Sequence, residues 1–77
     1  MFGPKLAEDA QAGDILIERR PSRVWALFLV VTVGGAQRAV ELKCTAGDPG
    51  TAARLRGLTL GSRTPEEAER RLAPFGF

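Results

Sequence analysis

Residues 24–33, Val-Trp-Ala-Leu-Phe-Leu-Val-Val-Thr-Val, form the longest apolar run of the chain. The β-branched and aromatic residues crowded into it predict a strand. It ends at Gly34-Gly35, a dipeptide that accepts positive φ at both centres of a two-residue hairpin turn. The next stretch alternates, with Gln37, Glu41, Lys43 and Thr45 pointing one way and Val40, Leu42 and Cys44 the other. Upstream, Ile15, Leu16, Ile17, Glu18 and Arg19 make a second β-branched run, closed by Pro21-Ser22 as the middle of a tight turn.

The flanks carry helical signals. Pro4 at a tolerated first position, with Leu6, Ala7 and Ala10 near one face, predicts one or two helical turns over residues 4–11. Asp48-Pro49 predicts a helix start, with Ala52 and Leu55 inward and Gly57 as the stop. Leu58, Thr59 and Leu60 suggest a brief fourth strand. Thr64-Pro65-Glu66-Glu67 has capping-box spacing. In the helix it opens, Glu66 with Arg70 and Glu67 with Arg71 fall at i,i+4, Ala68, Leu72 and Phe75 make the apolar stripe, and Pro74 ends it. The fold class that follows is α+β: a three- to four-stranded antiparallel meander packed by two short C-terminal helices, as a single domain over residues 1–77.

Loop lengths set which side chains share a face. A two-residue Gly34-Gly35 loop puts Leu29 against Val40, Leu27 against Leu42 and Trp25 against Cys44, an apolar face for the helices to cover. A two-residue Pro21-Ser22 loop puts Leu16 against Leu27 and Ile17 against Ala26. The opposite face then collects Ile15, Ile17, Val24, Ala26, Phe28 and Val30. Three covers are open for that second face: the chain's own N-terminal segment with Phe2 and Leu6, a second copy of the chain, or a different protein. A slip of one residue in the first hairpin would carry Ile15 and Ile17 into the main core and shrink the second face.

Size and charge narrow this further. A chain of 77 residues is one domain, and one this small buries only about 60% of the surface its unfolded chain exposes. The formal charge is +2, but the basic residues are unevenly placed. Residues 19–40 hold Arg19, Arg20, Arg23 and Arg38 with no acid, and residues 49–65 hold Arg54, Arg56 and Arg63 with none. If the fold gathers these stretches on one side, they make a patch for phosphate or carboxylate groups. The single cysteine, Cys44, excludes an intramolecular disulfide, and residues 1–12 lack the basic and long apolar regions of an export signal, so a cytoplasmic location is expected. Even extended to Gln37, the apolar run would rise about 21 Å as a helix against a hydrocarbon core of roughly 30 Å, so no membrane span is expected.

Candidate chemistry is sparse. The chain has no His and no Tyr, which rules out Ser–His and Cys–His pairs within it, and with one Cys it cannot supply a zinc ligand set, so no cofactor or metal is expected. Alternation places Cys44 with Val40 and Leu42, where a thiol behaves as a small hydrophobe. The carboxylates group as Glu8-Asp9, a turn, and Glu66-Glu67-Glu69, a helix start. Neither Gly34-Gly35 nor residues 47–50 match a phosphate loop.

No catalytic constellation is left, and the expectation is a chain that is not an enzyme. Compact chains of this kind are the size and class of accessory proteins and inhibitors, phage-encoded anti-defence proteins among them, which act by occluding a partner's surface. On that reading the partner-binding residues are Arg19, Arg20, Arg23, Phe28, Val30 and Arg38, and the partner is another protein or a second copy in a homodimer. The terminal Phe75 and Phe77 are a further candidate anchor. The alternative is a small basic nucleic-acid-binding domain, with Arg19, Arg20, Arg23, Arg38, Arg54, Arg56 and Arg63 on phosphates. Trp25 and Phe28, the only aromatics available to stack bases beside them, fall on opposite faces.

Overall fold

The apolar run becomes the central strand of an antiparallel meander. In the computed structural model, which describes residue 6 and residues 8–77, the elements are β1 (Ile15–Arg19), β2 (Trp25–Val33), β3 (Ala36–Ala46), α1 (Pro49–Thr59) and α2 (Pro65–Leu72), with a 3₁₀ turn over Ala73–Phe75. The strand order is β1-β2-β3. The fold is α+β: a three-stranded meander followed by two C-terminal helices. Among the described residues, no helix is long and apolar enough to cross a membrane.

The two hairpins differ in how their turns set the register. Gly34 and Gly35 both take positive φ, 58° and 81°, and Val33 faces Ala36 with Leu29 against Val40, as the glycine pair predicts. The first hairpin departs from expectation. Pro21 is locked near φ −65° and cannot take the positive φ that a two-residue primed turn demands at its first centre. The chain uses a three-residue loop instead. Arg23 N–H donates to Arg20 O at 3.1 Å around Pro21 and Ser22, Arg20 N–H donates to Val24 O at 3.0 Å, and Arg23 itself sits at φ 64°. The extra residue slips the pairing by one, so Ile17 faces Leu27 and Leu16 faces Phe28. Ile15 and Ile17 therefore lie on the helix side, and the second face is smaller than a two-residue loop would make it.

A second irregularity lies in β3. Phe28 faces Glu41 but Ala26 faces Thr45, so Leu42, Lys43 and Cys44 together oppose Leu27, and Trp25 meets Ala46 rather than Cys44. The shift is even, so every side chain keeps its face.

The core lies between sheet and helices. Leu27, Leu29 and Val31 of β2 and Leu42 and Ala46 of β3 pack with Ala52 and Leu55 of α1 and Ala68 and Leu72 of α2. Around them sit Ile15, Trp25, Val40, Cys44, Leu58 and Phe77. On the second face Ala26, Phe28 and Val30 are also buried. Phe2, one expected cover, lies outside the described residues; Leu6 is half-buried. The segment leading into β1 is tied to the sheet: Gln37 Nε2 donates to Ala10 O at 3.3 Å, and Gly13 N–H to Val30 O and Val30 N–H to Asp14 O, both at 2.9 Å, continue the β1–β2 ladder. Of the helix expected over residues 4–11, residues 4, 5 and 7 are outside the described part, and Glu8 and Asp9 form a turn.

Both helices start on their expected caps: Asp48 Oδ1 accepts from Thr51 N–H at 3.0 Å, and Thr64 Oγ1 accepts from Glu67 N–H at 3.1 Å. Glu67 reaches one residue past the usual capping box, accepting from Arg63 N–H at 3.3 Å, and pairs with Arg71 at 2.8 Å. The expected Glu66–Arg70 pair does not form among the described residues. Residues 58–60 are not a strand. Helix α1 runs through Gly57 because Leu58 packs on the core and Thr59, fully buried, shares its hydroxyl proton between Leu55 O at 2.9 Å and Gly13 O at 3.0 Å. At the C-terminus Phe75, expected on the apolar stripe, is 52% exposed, and Phe77 packs against the core instead. The α-helix ends at Leu72, since Pro74 brings no N–H for Arg70 O, and the 3₁₀ turn that follows swings Phe75 off the stripe.

Two glycine substitutions should separate packing from propensity. Gly13 has φ 97°, and a Cβ there would lie 2.1 Å from Gly61 N and 2.7 Å from Leu60 Cα, in backbone that cannot swing aside. Gly13→Ala is expected to cost roughly 2–4 kcal/mol, strain plus displaced backbone, in urea unfolding. Gly57 lies inside α1 with open space around its Cβ position, and Gly57→Ala is expected to add about 0.5–1 kcal/mol.

Candidate functional site

The loop that Pro21 imposes builds the end of the sheet that carries Arg19, Arg20 and Arg23. Arg19 faces Trp25 and shares the helix side of the sheet; Arg20 belongs to the opposite face. Arg20 forms an ion pair with Glu41, with about half of each side chain exposed. Arg23 is exposed at the tip and has no ion-pair partner among the described residues.

The other expected contacts are elsewhere. Arg38 faces Val31 beside the Gly34-Gly35 turn, nearly the full length of β2 away, about 20 Å at 3.3 Å per residue. Helix α1 leaves the tip end of the sheet after β3 and finishes against Gly13. Along it Arg54 is exposed, while Arg56 Nε donates to Asp14 Oδ1 at 3.1 Å. Arg63 lies past the far end of α1, exposed. The two acid-free stretches thus do not merge into one patch. Phe28 and Val30, named as partner contacts from sequence, are 7% and 0% exposed, so in the single chain they present little or no surface.

Beside the hairpin, on the second face, lies a cleft of about 400 Å³. Its floor is Val24 and Ala26, and its walls carry Ser22, Thr45, Lys43 and the Arg20–Glu41 pair. The cleft follows from register. Ala26 is the small residue in a row with Phe28 and Val30, and the widened stretch of β3 lies directly beside it. Arg20 leaves the β1 side of the sheet and Glu41 the β3 side, so their ion pair crosses β2 at the level of Ala26. Ser22, Glu41, Lys43 and Thr45 were not singled out by sequence reasoning. The alternation that put Glu41, Lys43 and Thr45 on one side was visible, but only the true loop length brings Arg20 and Ser22 over them.

A second cleft of about 500 Å³ lies on the other side of the same β3 stretch, against α2 and the C-terminal turn. Glu69 and Phe77 line it together with Cys44, and Glu69 Oε2 accepts from Lys43 N–H at 2.7 Å, so a helix carboxylate covers the sheet edge at the irregularity. Burial raises the Cys44 thiol above its ordinary pKa; a backbone hydrogen bond opposes the rise and the nearby Glu69 charge adds to it. The carboxylates flagged from sequence therefore have structural work: Glu67 at the helix cap and Glu69 on the strand.

Comparison of the chain with protein-family models, curated proteins and solved structures finds no match. The chemistry of these surfaces is what bears on function.

The thiol offers a check on the second cleft. A folded-state pKa raised above the unfolded value favours the neutral thiol, so its contribution to stability is intact below the unfolded pKa and lost as pH rises through the folded one. Alkylation of Cys44 by iodoacetamide at pH 8 is expected to be several-fold slower in the native protein than in urea, with the gap narrowing at higher pH. Equal rates in both states would mean that the thiol is not held against the core.

Proposed function

We propose that the chain is a small non-catalytic protein-binding module that acts by covering part of another protein's surface, with the 19–23 hairpin as its point of contact. The observation that carries this reading is the backbone of Arg23. A left-handed conformation costs an ordinary residue about 1–2 kcal/mol, and turns of this type favour Gly, Asn or Asp there. The chain has nine glycines and uses one at Gly13, Gly34, Gly35, Gly61 and Gly76, each at positive φ. At the hairpin tip it carries a guanidinium instead, exposed and flanked by Arg19 and Arg20. A side chain kept at that cost with no hydrogen bond or ion pair of its own among the described residues is best explained by an external partner.

An acidic protein surface suits three guanidinium groups at one end of a narrow sheet. A nucleic-acid backbone would draw on a longer track of cations, and Arg38, Arg54, Arg56 and Arg63 are dispersed away from the tip, with Arg56 already held by Asp14.

Affinity capture from the native host, quantified against variants, tests the reading. Arg23→Gly is expected to stabilise the fold by roughly 0.5–1 kcal/mol, because relief of the left-handed strain exceeds the added freedom of the unfolded chain. The same variant is expected to weaken partner binding by about tenfold, and Arg19, Arg20 and Arg23 changed together to Ala to abolish it. Retention of the same protein by all variants would remove the hairpin from consideration. Loss of binding on nuclease treatment, with a steep salt dependence, would favour the nucleic-acid alternative.

A further inference from the structure

We propose that the cleft crossed by the Arg20–Glu41 pair takes an extended acidic segment of the partner protein, its carboxylate on Arg20 and the neighbouring apolar side chain on Val24 and Ala26. This inference rests on the reading of the hairpin as the contact site and names what the site recognises. Glu41 already shows where a carboxylate sits in this cleft. It is an exposed side chain of the same protein held on Arg20 across the sheet, in the place an acidic residue of a bound segment would take.

The rest of the cleft matches such a ligand. A volume of about 400 Å³ accommodates an aliphatic side chain with the backbone on either side of it. Val24, half-buried, supplies the apolar surface, with the nearly buried Ala26 at its base, and the Ser22 and Thr45 hydroxyls can bond a segment's peptide groups. Lys43 adds a second cation, which has no ion-pair partner among the described residues. Glu18, opposite Ala26 on β1, is the other acid of this face and disfavours a carboxylate on that side. An Arg fork shared with Glu41 is weaker for a second carboxylate than a free one, so Glu41 acts as an internal competitor that restrains binding.

The test is a ¹⁵N NMR titration with the terminally blocked peptide Gly-Glu-Leu-Gly, beside Gly-Gln-Leu-Gly and Gly-Glu-Gly-Gly. The amides of Ser22, Val24, Ala26, Lys43 and Thr45 are expected to shift and saturate with the first peptide. The glutamine peptide should give no saturable shift, and the peptide lacking leucine should bind several-fold more weakly. Glu41→Gln is expected to tighten the first peptide about threefold or more, since it removes a like charge and frees the fork. Arg20→Gln should abolish saturation, while an otherwise unchanged spectrum reports an intact fold. Equal binding of the glutamine peptide, or no gain in Glu41→Gln, would overturn the inference. If the peptides fail while Arg23→Gly still weakens capture of the partner protein, the hairpin reading stands and only the cleft assignment falls. If the peptides titrate as described while Arg23→Gly leaves capture unchanged, the cleft assignment stands without the tip.

Discussion

The fold is tied together where Gly13 lies against the end of α1. Gly13 has no side chain, so its backbone approaches Leu60 and Gly61 closely enough that a Cβ would overlap them. From that contact three bonds spread in different directions. Gly13 N–H reaches Val30 O at 2.9 Å, Gly13 O accepts from the buried Thr59 hydroxyl at 3.0 Å, and Asp14 O accepts from Val30 N–H at 2.9 Å. The Asp14 side chain, nearly buried, accepts from Gln11 N–H and from Arg56 Nε, both at 3.1 Å. One dipeptide thus joins the N-terminal segment, the central strand and the first helix. A chain that buries so little of its surface depends on such junctions more than a large domain does, because few other contacts hold its layers in register. Arg71 makes a similar clasp, donating to Ser62 Oγ at 2.9 Å and Leu60 O at 3.3 Å, and this joins the last turn of α2 to the segment that follows α1.

What sequence could and could not say follows from the range of each interaction. Elements held by local physics were legible: the β-branched runs, the Gly34-Gly35 turn, and the caps at Asp48 and Thr64 all rest on residues within four positions of one another. The first hairpin was misjudged by one residue although the cause was in view, since Pro21 cannot adopt the φ of a two-residue primed turn. That slip moved Ile15 and Ile17 from the second face to the helix side. Gly57 reads as a helix stop on propensity alone. Its cost of about 1 kcal/mol is outweighed by burial of Leu58 and Thr59 beyond it, and the partner that makes Thr59 worth burying is forty-six residues away in sequence. At the C-terminus, helical spacing carried through Pro74 puts Phe75 on the stripe, but the chain tightens there and Phe77 packs on the core in its place.

The candidate site was legible only in part for the same reason. The run of arginines at 19–23 stands out in any reading, whereas its partner Glu41 lies twenty-one residues on and reaches Arg20 only through the true register of two hairpins. Dispersal of Arg38, Arg54, Arg56 and Arg63 was likewise a question of topology. A three-stranded meander sends its two turns to opposite ends of the sheet, and α1 carries its arginines back along the sheet rather than toward the tip. Counting charges along the chain therefore overstated the basic patch, while the alternation of residues 37–45 held an unrecognised wall of the cleft.

Stability and recognition occupy different ends of this small sheet. The Gly13 junction lies level with Val30, and the arginine hairpin lies beyond Trp25, about 17 Å along β2. A strained residue at the tip is tolerable under that arrangement, because the contacts that hold the layers together are made elsewhere and the loop bears on none of them. The widening of β3 opposite Leu27 extends the same division. It opens the strand next to Ala26 without changing the face of any side chain, so the core keeps Leu42 and Ala46 while the outer face gains a recess. The irregularities of the sheet, the left-handed Arg23 and the three residues opposite Leu27, both fall at the tip end, and the regular pairing of β2 with β3 runs from Phe28 to the glycine turn. A sheet that is regular where it is tied down and irregular where it is open has its adaptable surface at the hairpin, and a partner would gain most by meeting it there.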